Sequence, residues 1–260
     1  MVETHRIGGR EVAFRHEPGR APTLICVHGS AENHHVYDRL LEALGRSGGR
    51  NRYAINLPGR AGSDGPLLRS VAEMQEFLAR FIKSEVTGDY LIVGHSLGGG
   101  VAIEHAVATR SERLKGIVLL GSGARLRVLP LILQIFEQAS KSGERPPLPA
   151  GAFEPGADPA LVADAIVARE GTSIETGAAD WRAADRFDRM QDLARIRVPA
   201  LIVAGRNDTL TPPKYAEYLA AKIPHAELHI IEGAGHMFLM ERPADVARWI
   251  EEFVGEHASG

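Results

Sequence analysis

The sequence predicts an α/β protein: a doubly wound, mostly parallel sheet with helices on both faces and a helical segment inserted after the sixth strand. Three observations predict it. Short, nearly all-apolar runs recur along the chain, as strands buried on both faces require. Longer stretches with apolar residues at three- and four-residue spacing separate them. Regular alternation of the two implies right-handed crossovers between parallel strands.

The elements follow in order. Two short extended runs, Glu3 to Ile7 and Glu11 to Arg15, are joined by Gly8-Gly9, which reads as a hairpin turn. The apolar runs are Thr23 to Val27, Tyr53 to Leu57, Tyr90 to Val93, Gly116 to Leu120, Ala200 to Ala204 and Leu228 to Ile231. Helical periodicity covers Val36 to Leu44, Val71 to Val86, Val101 to Ala108, Pro213 to Lys222 and Pro243 to Val254. Pro213 and Pro243 fall where a first-turn proline belongs. The alternation lapses between about Ser122 and Arg186, which hold helix-like stretches at Leu126 to Gln138, Ala160 to Glu170 and, running on past Arg186, Ser173 to Met190. Residues 1–122 and 187–260 therefore read as the core, and 123–186 as a helical insertion over the sheet or along its outside.

Composition narrows the function classes. The chain has 260 residues, 44% apolar and 24% charged, enough to bury a full core without staples. A net charge of −3 offers no general basic field for nucleic acid or anionic lipid. The most apolar stretch, Val128 to Phe136, falls well short of the ~18–20 residues of a membrane span and contains Pro130 and Gln134. The amino terminus lacks the apolar core of a signal peptide, and Cys26 is the only cysteine, so it reads as a small core residue. These features lead us to expect a soluble, cytoplasmic protein with no cysteine-bound metal. They say nothing of its oligomeric state.

The sharpest chemical signal is Gly94-His95-Ser96-Leu97-Gly98-Gly99-Gly100, between the run Tyr90 to Val93 and a helix beginning near Leu97. Gly-x-Ser-x-Gly between strand and helix makes a nucleophile elbow, a turn so tight that the flanking positions must lack bulk. It holds the serine hydroxyl clear of the strand ends and aims the N–H of Leu97 at a reacting oxygen. A serine needs a base, and the base an orienting acid. Asp208 follows the run Ala200 to Ala204, and His236 follows Leu228 to Ile231 behind Gly233 and Gly235. Singly, Asp208 also fits a turn or helix cap and His236 a surface loop. Together, beyond the carboxyl ends of parallel strands, they read as a triad with Ser96. In His28-Gly29-Ser30, the N–H of Ser30 could oppose that of Leu97 as a second oxyanion donor, unless the segment is merely a strand-to-helix turn. His34 and His35 read as pocket or surface residues, not metal ligands.

On these motifs the chain resembles the α/β-hydrolase superfamily, in particular its capped, esterase-like members. Further similarity lies in Asn56-Leu57-Pro58-Gly59-Arg60-Ala61-Gly62-Ser63, in Val198 to Gly205 leading into Asp208, and in His236 followed by Glu241-Arg242-Pro243. The resemblance implies Ser96 as nucleophile, His236 as base, Asp208 as orienting acid, and Ser30 and Leu97 as oxyanion donors. Gly121-Ser122-Gly123 carries no carboxylate at the alternative acid position. Ala61 replaces a frequent glycine, and Asn56 a frequent aspartate. An aspartate nucleophile, as in related dehalogenases and epoxide hydrolases, is excluded by Ser96.

The resemblance makes the insertion a cap. Leu129, Ile132, Leu133 and Phe136 would then line an apolar substrate cleft or simply pack the cap down, while Trp181, Phe187 and Met190 read as packing residues. The expected activity is cleavage of a small-molecule carboxylic ester with an apolar part through an acyl-enzyme, with no cofactor or metal. The same triad would also serve a C–C bond hydrolase acting on a β-diketone-like ring-cleavage product, with Arg125 or Arg127 pairing a substrate carboxylate, although a solvated face is the more ordinary reading of both arginines. A slow-turnover small-molecule receptor, a thioesterase and a perhydrolase also fit the fold.

Overall fold

The computed structural model describes residues 1–47 and 49–258. Gly8 and Gly9, at φ 58° and 85°, turn β1 (Val2–Ile7) into β2 (Arg10–Glu17), and the two pair antiparallel. The remaining strands are β3 (Arg20–Val27), β4 (Arg50–Ile55), β5 (Tyr90–His95), β6 (Leu114–Leu120), β7 (Ala200–Gly205) and β8 (Ala226–Ile231). They form one sheet in the order β1-β2-β4-β3-β5-β6-β7-β8. β2 lies antiparallel to β4, and every pair from β4 to β8 is parallel. From β3 the chain steps one way to β4 and then returns to the other side for β5. That reversal opens a crevice beyond the carboxyl ends of β3 and β5.

Nine α-helices complete the described chain: α1 (Asp38–Ser47), α2 (Val71–Glu85), α3 (Leu97–Ala108), α4 (Pro130–Ser142), α5 (Pro159–Val167), α6 (Ile174–Arg186), α7 (Pro213–Lys222), α8 (Phe238–Glu241) and α9 (Pro243–His257). Strand side chains alternate between the two faces. Ile25, Val27, Ile92, Ile117, Leu119 and Ile202 pack with α2, α3 and α7. Leu24, Cys26, Leu91, Val93, Val118 and Leu201 pack with α1, α8 and α9. Two-sided burial explains why these strands read as unbroken apolar runs. No described helix is long and apolar enough to cross a membrane.

Several boundaries differ from the sequence reading. The strand expected over Tyr53 to Leu57 starts at Arg50 and stops at Ile55. Its arginines can lie in a strand because they are paired, Arg50 with Glu251 at 2.9 Å and Arg52 with Glu17 at 2.6 Å. The helix expected from Leu126 begins at Pro130, since a residue before proline is pushed out of the helical region; Leu129 sits at φ −60°, ψ 130°. It continues beyond Gln138 to Ser142, where Gly143 at φ 77° ends it. The helix expected over Ser173 to Met190 closes at Arg186, and its Ser173 side chain caps the N–H of Thr176. The helix expected over Ala160 to Glu170 runs from Pro159 to Val167, with Asp158 capping Ala160.

Candidate active site

The turn after β5 is built from absent side chains. A Cβ on Gly94 would lie 2.3 Å from the Gly98 carbonyl oxygen, and one on Gly98 would lie 1.9 Å from that of Val27. Ser96 between them sits at φ 52°, ψ −117°, a strained conformation for a residue with a side chain. Its N–H donates to Leu120 at 2.8 Å, and the Ser122 hydroxyl donates to its carbonyl at 2.8 Å. These bonds tie the elbow to the end of β6. We expect Gly98→Ala to destabilise the protein by about 3 kcal/mol, because backbone rather than a flexible side chain must yield. Urea unfolding would measure it; a loss within ordinary surface-substitution scatter would contradict the close approach.

Asp208 and His236, at the ends of β7 and β8, are buried and joined: His236 Nδ1 lies 2.8 Å from Asp208 Oδ2. The other oxygen, Oδ1, accepts the N–H groups of Leu210 and Thr211 at 2.8 Å each. Asp208 is thus both the cap of its turn and the partner of the imidazole. Thr211, unremarked in the sequence, places its hydroxyl 2.7 Å from Asp208 Oδ2 and 2.8 Å from the Gly121 carbonyl. Gly121, at φ 54°, would bring a Cβ within 3.3 Å of the imidazole.

The loop after β3 supplies three consecutive N–H groups. That of Gly29 donates to Glu32 Oε2 at 2.8 Å, and that of Ala31 to Asp180 Oδ2 at 2.9 Å. Between them, the N–H of Ser30 meets no acceptor among the described residues, and neither does that of Leu97. His28 fastens the loop from behind, receiving the Leu57 N–H on Nε2 at 3.2 Å. Burial, reinforced by the Arg60 charge, pushes its pKa down to about 3, so it stays neutral.

Ser96 shares two small cavities with the inserted segment. Leu126, Arg127, Leu129, Ile132 and Trp181 join Ser30 and Ser96 around one; Glu32, Phe136, Trp181, His236 and Met237 are among those around the other. Each has a volume of about 30 Å³, room for a group little larger than a water molecule. Leu129, Ile132 and Phe136 thus reach the cavity walls, whereas Leu133 lines neither cavity. Trp181, expected to be packing, lines both cavities, and its buried indole N–H has no partner among the described residues. Arg127 reaches the cavity, while Arg125 pairs with Asp188 at 3.4 Å. His34 is buried against Asn56 and His35 pairs with Asp38; neither lines these cavities.

Electrostatics favour an ionised acid beside a basic imidazole. Burial opposes the charge on His236, but the charge and hydrogen bond of Asp208, with the charge of Glu32, outweigh it and raise the pKa above the ordinary imidazole value. Burial likewise opposes the Asp208 charge, and His236 and Thr211 overcome it to hold the carboxyl below its usual range. Glu32 is a second buried carboxylate at the site. Its Oε2 lies 3.2 Å from His95 Nδ1, and His95 Nε2 lies 3.3 Å from the His236 carbonyl. Despite burial, His95, the Gly29 N–H and His236 hold Glu32 ionised, with its pKa lowered.

An elbow serine, an acid–imidazole pair and two unengaged N–H groups at the switch point of a doubly wound sheet define a hydrolase-type site. Residues 24–249 match the sequence profile of the alpha/beta hydrolase family, and the chain belongs to that family. It is an esterase-like member, with relatives that are named as esterases. A pimeloyl-[acyl-carrier protein] methyl ester esterase of Nitrosomonas europaea is 26% identical over 241 residues, covering 86% of this chain and 92% of its own. The structure of a thermophilic esterase superposes with a TM-score of 0.82 at 30% identity, over 98% of each chain. An esterase from Exiguobacterium antarcticum gives a TM-score of 0.86 over 98% of this chain and all of its own; at 17% identity it speaks for the fold alone.

Proposed function

We propose that this protein is a serine esterase cleaving small carboxylic esters through an acyl-enzyme, with Ser96 as nucleophile, His236 as base and Asp208 as orienting acid. The reading is carried by the buried 2.8 Å contact between His236 and Asp208, made at the cavity that Ser96 also lines. In this structure no hydrogen bond joins the Ser96 hydroxyl to the imidazole. Such a contact often tightens only when substrate is bound.

His236 takes the hydroxyl proton as Ser96 Oγ attacks the ester carbonyl, forming a tetrahedral oxyanion. The N–H groups of Ser30 and Leu97 stabilise that oxygen, and each such donor contributes ~2.7–4 kcal/mol to lowering a barrier of this kind. His236 then protonates the departing alcohol, and water activated by the same imidazole releases the acid. Asp208 keeps the Nδ1–H tautomer in place throughout. Residues 123–186 serve as a cap whose Leu129, Ile132, Phe136 and Trp181 give the substrate an apolar surround.

A p-nitrophenyl ester series from acetate to dodecanoate, with phosphonate labelling read by mass spectrometry, tests this reading. Cavities of about 30 Å³ lead us to expect turnover peaking among the shortest acyl groups and a single label on Ser96. A label elsewhere, or no turnover of any member, would remove the proposal.

The acid limb of the pH profile offers a second test. The base works only as neutral imidazole, so kcat/KM rises with pH as His236 loses its proton. Because that pKa is raised, the midpoint is expected above ~6.5, the ordinary imidazole value. Glu32→Gln keeps an oxygen for the Gly29 N–H but deletes the charge, so the midpoint should move to lower pH. An unmoved or upward-moving midpoint would show that Glu32 does not act on His236.

A further inference from the structure

The loop Gly29-Ser30-Ala31 is held from two sides, and one of its restraints comes from the inserted segment. Asp180 on α6 accepts the Ala31 N–H at 2.9 Å across 149 positions of sequence. Its two oxygens also receive Arg60 Nη1 and Nη2 at 2.7 and 3.0 Å. Both side chains are 1% exposed, so the pair is wholly removed from water. Arg60 continues inward, donating to the Glu32 carbonyl at 3.3 Å. The same helix touches the loop one turn earlier, where a Cβ on Gly177 would stand 2.9 Å from Ala31 Cβ. Gly177 and Asp180 are three positions apart and therefore share a helix face.

Ala31 itself is at φ 61°, a left-handed conformation that an alanine adopts only when its surroundings impose it. Such a backbone turn decides where neighbouring N–H groups point. With Gly29 engaged by Glu32 and Ala31 by Asp180, Ser30 is left as the one N–H of the three without an acceptor. A buried charge pair at this place is a weak source of stability, since desolvation of the two ions offsets most of their attraction. Its geometric effect is specific.

We propose that Asp180 is a positioning residue: by accepting the Ala31 N–H it fixes the Ser30 N–H as an oxyanion donor, so that the site is complete only when the insert is seated. This inference rests on the reading of Ser30 as an oxyanion donor in an esterase. It makes α6 part of the catalytic geometry without touching the substrate through Asp180.

The test compares two double variants, Arg60→Met/Asp180→Ala and Arg60→Met/Asp180→Asn. Neither buries an unpaired charge, and they differ in whether an oxygen remains for the Ala31 N–H. Kinetics on the best p-nitrophenyl ester are combined with inhibition by an alkyl trifluoromethyl ketone, whose serine adduct carries an oxyanion. The alanine variant should show kcat about 10- to 100-fold below the asparagine variant, a fraction of what deleting a whole donor costs. KM should change by less than about threefold, and the ketone Ki should rise by the same factor as kcat falls. With Arg60 retained, Asp180→Asn and Asp180→Ala both leave its charge unpaired, and the asparagine variant should again keep the higher kcat; this pair supplies the comparison if the Arg60→Met background does not fold.

Equal kcat and equal ketone affinity in the two double variants would overturn the proposal, as would a rise in KM alone or an Asp180→Asn loss as deep as that of Asp180→Ala. Wild type and Ser96→Ala are run alongside. If wild type hydrolyses esters through Ser96 and the acceptor makes no difference, this inference alone fails. If wild type does not hydrolyse esters, the esterase reading fails and takes this one with it.

Discussion

Ser96→Ala is expected to lower kcat for ester hydrolysis by about 10⁶-fold while leaving the fold and ground-state binding in place. The magnitude follows from the unit behaviour of triads, in which losing the nucleophile costs nearly as much as losing every member. What remains is the modest acceleration from oxyanion donors and binding alone. The fold should survive because the Ser96 side chain is not among the groups that tie the elbow; those bonds run through its backbone N–H and carbonyl. The alanine variant also keeps a Cβ in a conformation that already holds one. Steady-state kinetics and circular dichroism on the same preparation would decide it. Undiminished turnover in a folded variant would dismiss Ser96 as nucleophile.

Asp208→Asn is expected to lower kcat by about 10⁴-fold, the cost of presenting the imidazole in the wrong tautomer. An amide NH₂ at the Oδ2 position would donate toward His236 Nδ1, so the ring would have to carry its proton on the nitrogen that should receive one from Ser96. Turning the amide over would instead aim that NH₂ at the Leu210 and Thr211 N–H groups, which now share Oδ1. Neither orientation satisfies both sets of partners. The residual activity should show its acid limb at lower pH, because the Asp208 charge and hydrogen bond that raise the His236 pKa are gone. A profile displaced upward, or a loss under about tenfold, would argue that another group orients the base.

The stability linkage has the opposite sign to the activity. His236 has a raised pKa in the folded protein, so its contribution to stability is fully present below the unfolded value and is lost as pH rises through the folded one. Under the proposed mechanism activity requires the neutral imidazole and is expected to grow across the same window. The pH of greatest turnover is therefore expected to be one at which the Asp208–His236 pair contributes less to stability.

Much of the scaffold was legible before any coordinates. The apolar runs marked the six strands β3 to β8; in β3 to β7 burial on both faces leaves little room for polar residues, whereas β8, at the sheet edge, is mostly half-buried. Gly94 and Gly98 announced the elbow for an equally local reason: neighbouring backbone occupies the space a Cβ would fill. Helix ends were read less well. The pattern Leu126 to Gln138 was apolar throughout, and only the effect of Pro130 on Leu129 set the true start.

The walls of the site were legible only in part. Leu129, Ile132 and Phe136 reach the cavities and Leu133 does not, a distinction among neighbouring apolar residues that their sequence pattern does not draw. Trp181 looked like a packing residue because an aromatic ring fits a core and a cleft equally well in sequence. Glu32 and Asp180 carried no signal, since isolated acidic residues mostly belong to solvated surfaces.

By itself, then, the sequence determined the doubly wound sheet, the elbow at Ser96 and the placing of Asp208 and His236 beyond strand ends. Periodicity, chain order and tight turns are properties of neighbouring residues. Only the tertiary structure decided that Glu32 and Asp180 engage the N–H groups flanking Ser30, and that Trp181 faces Ser96's cavities. The Asp180 and Trp181 contacts depend on how residues 123–186 pack against the sheet edge, and Ala31 and Asp180, 149 positions apart, leave no local pattern by which either could be found.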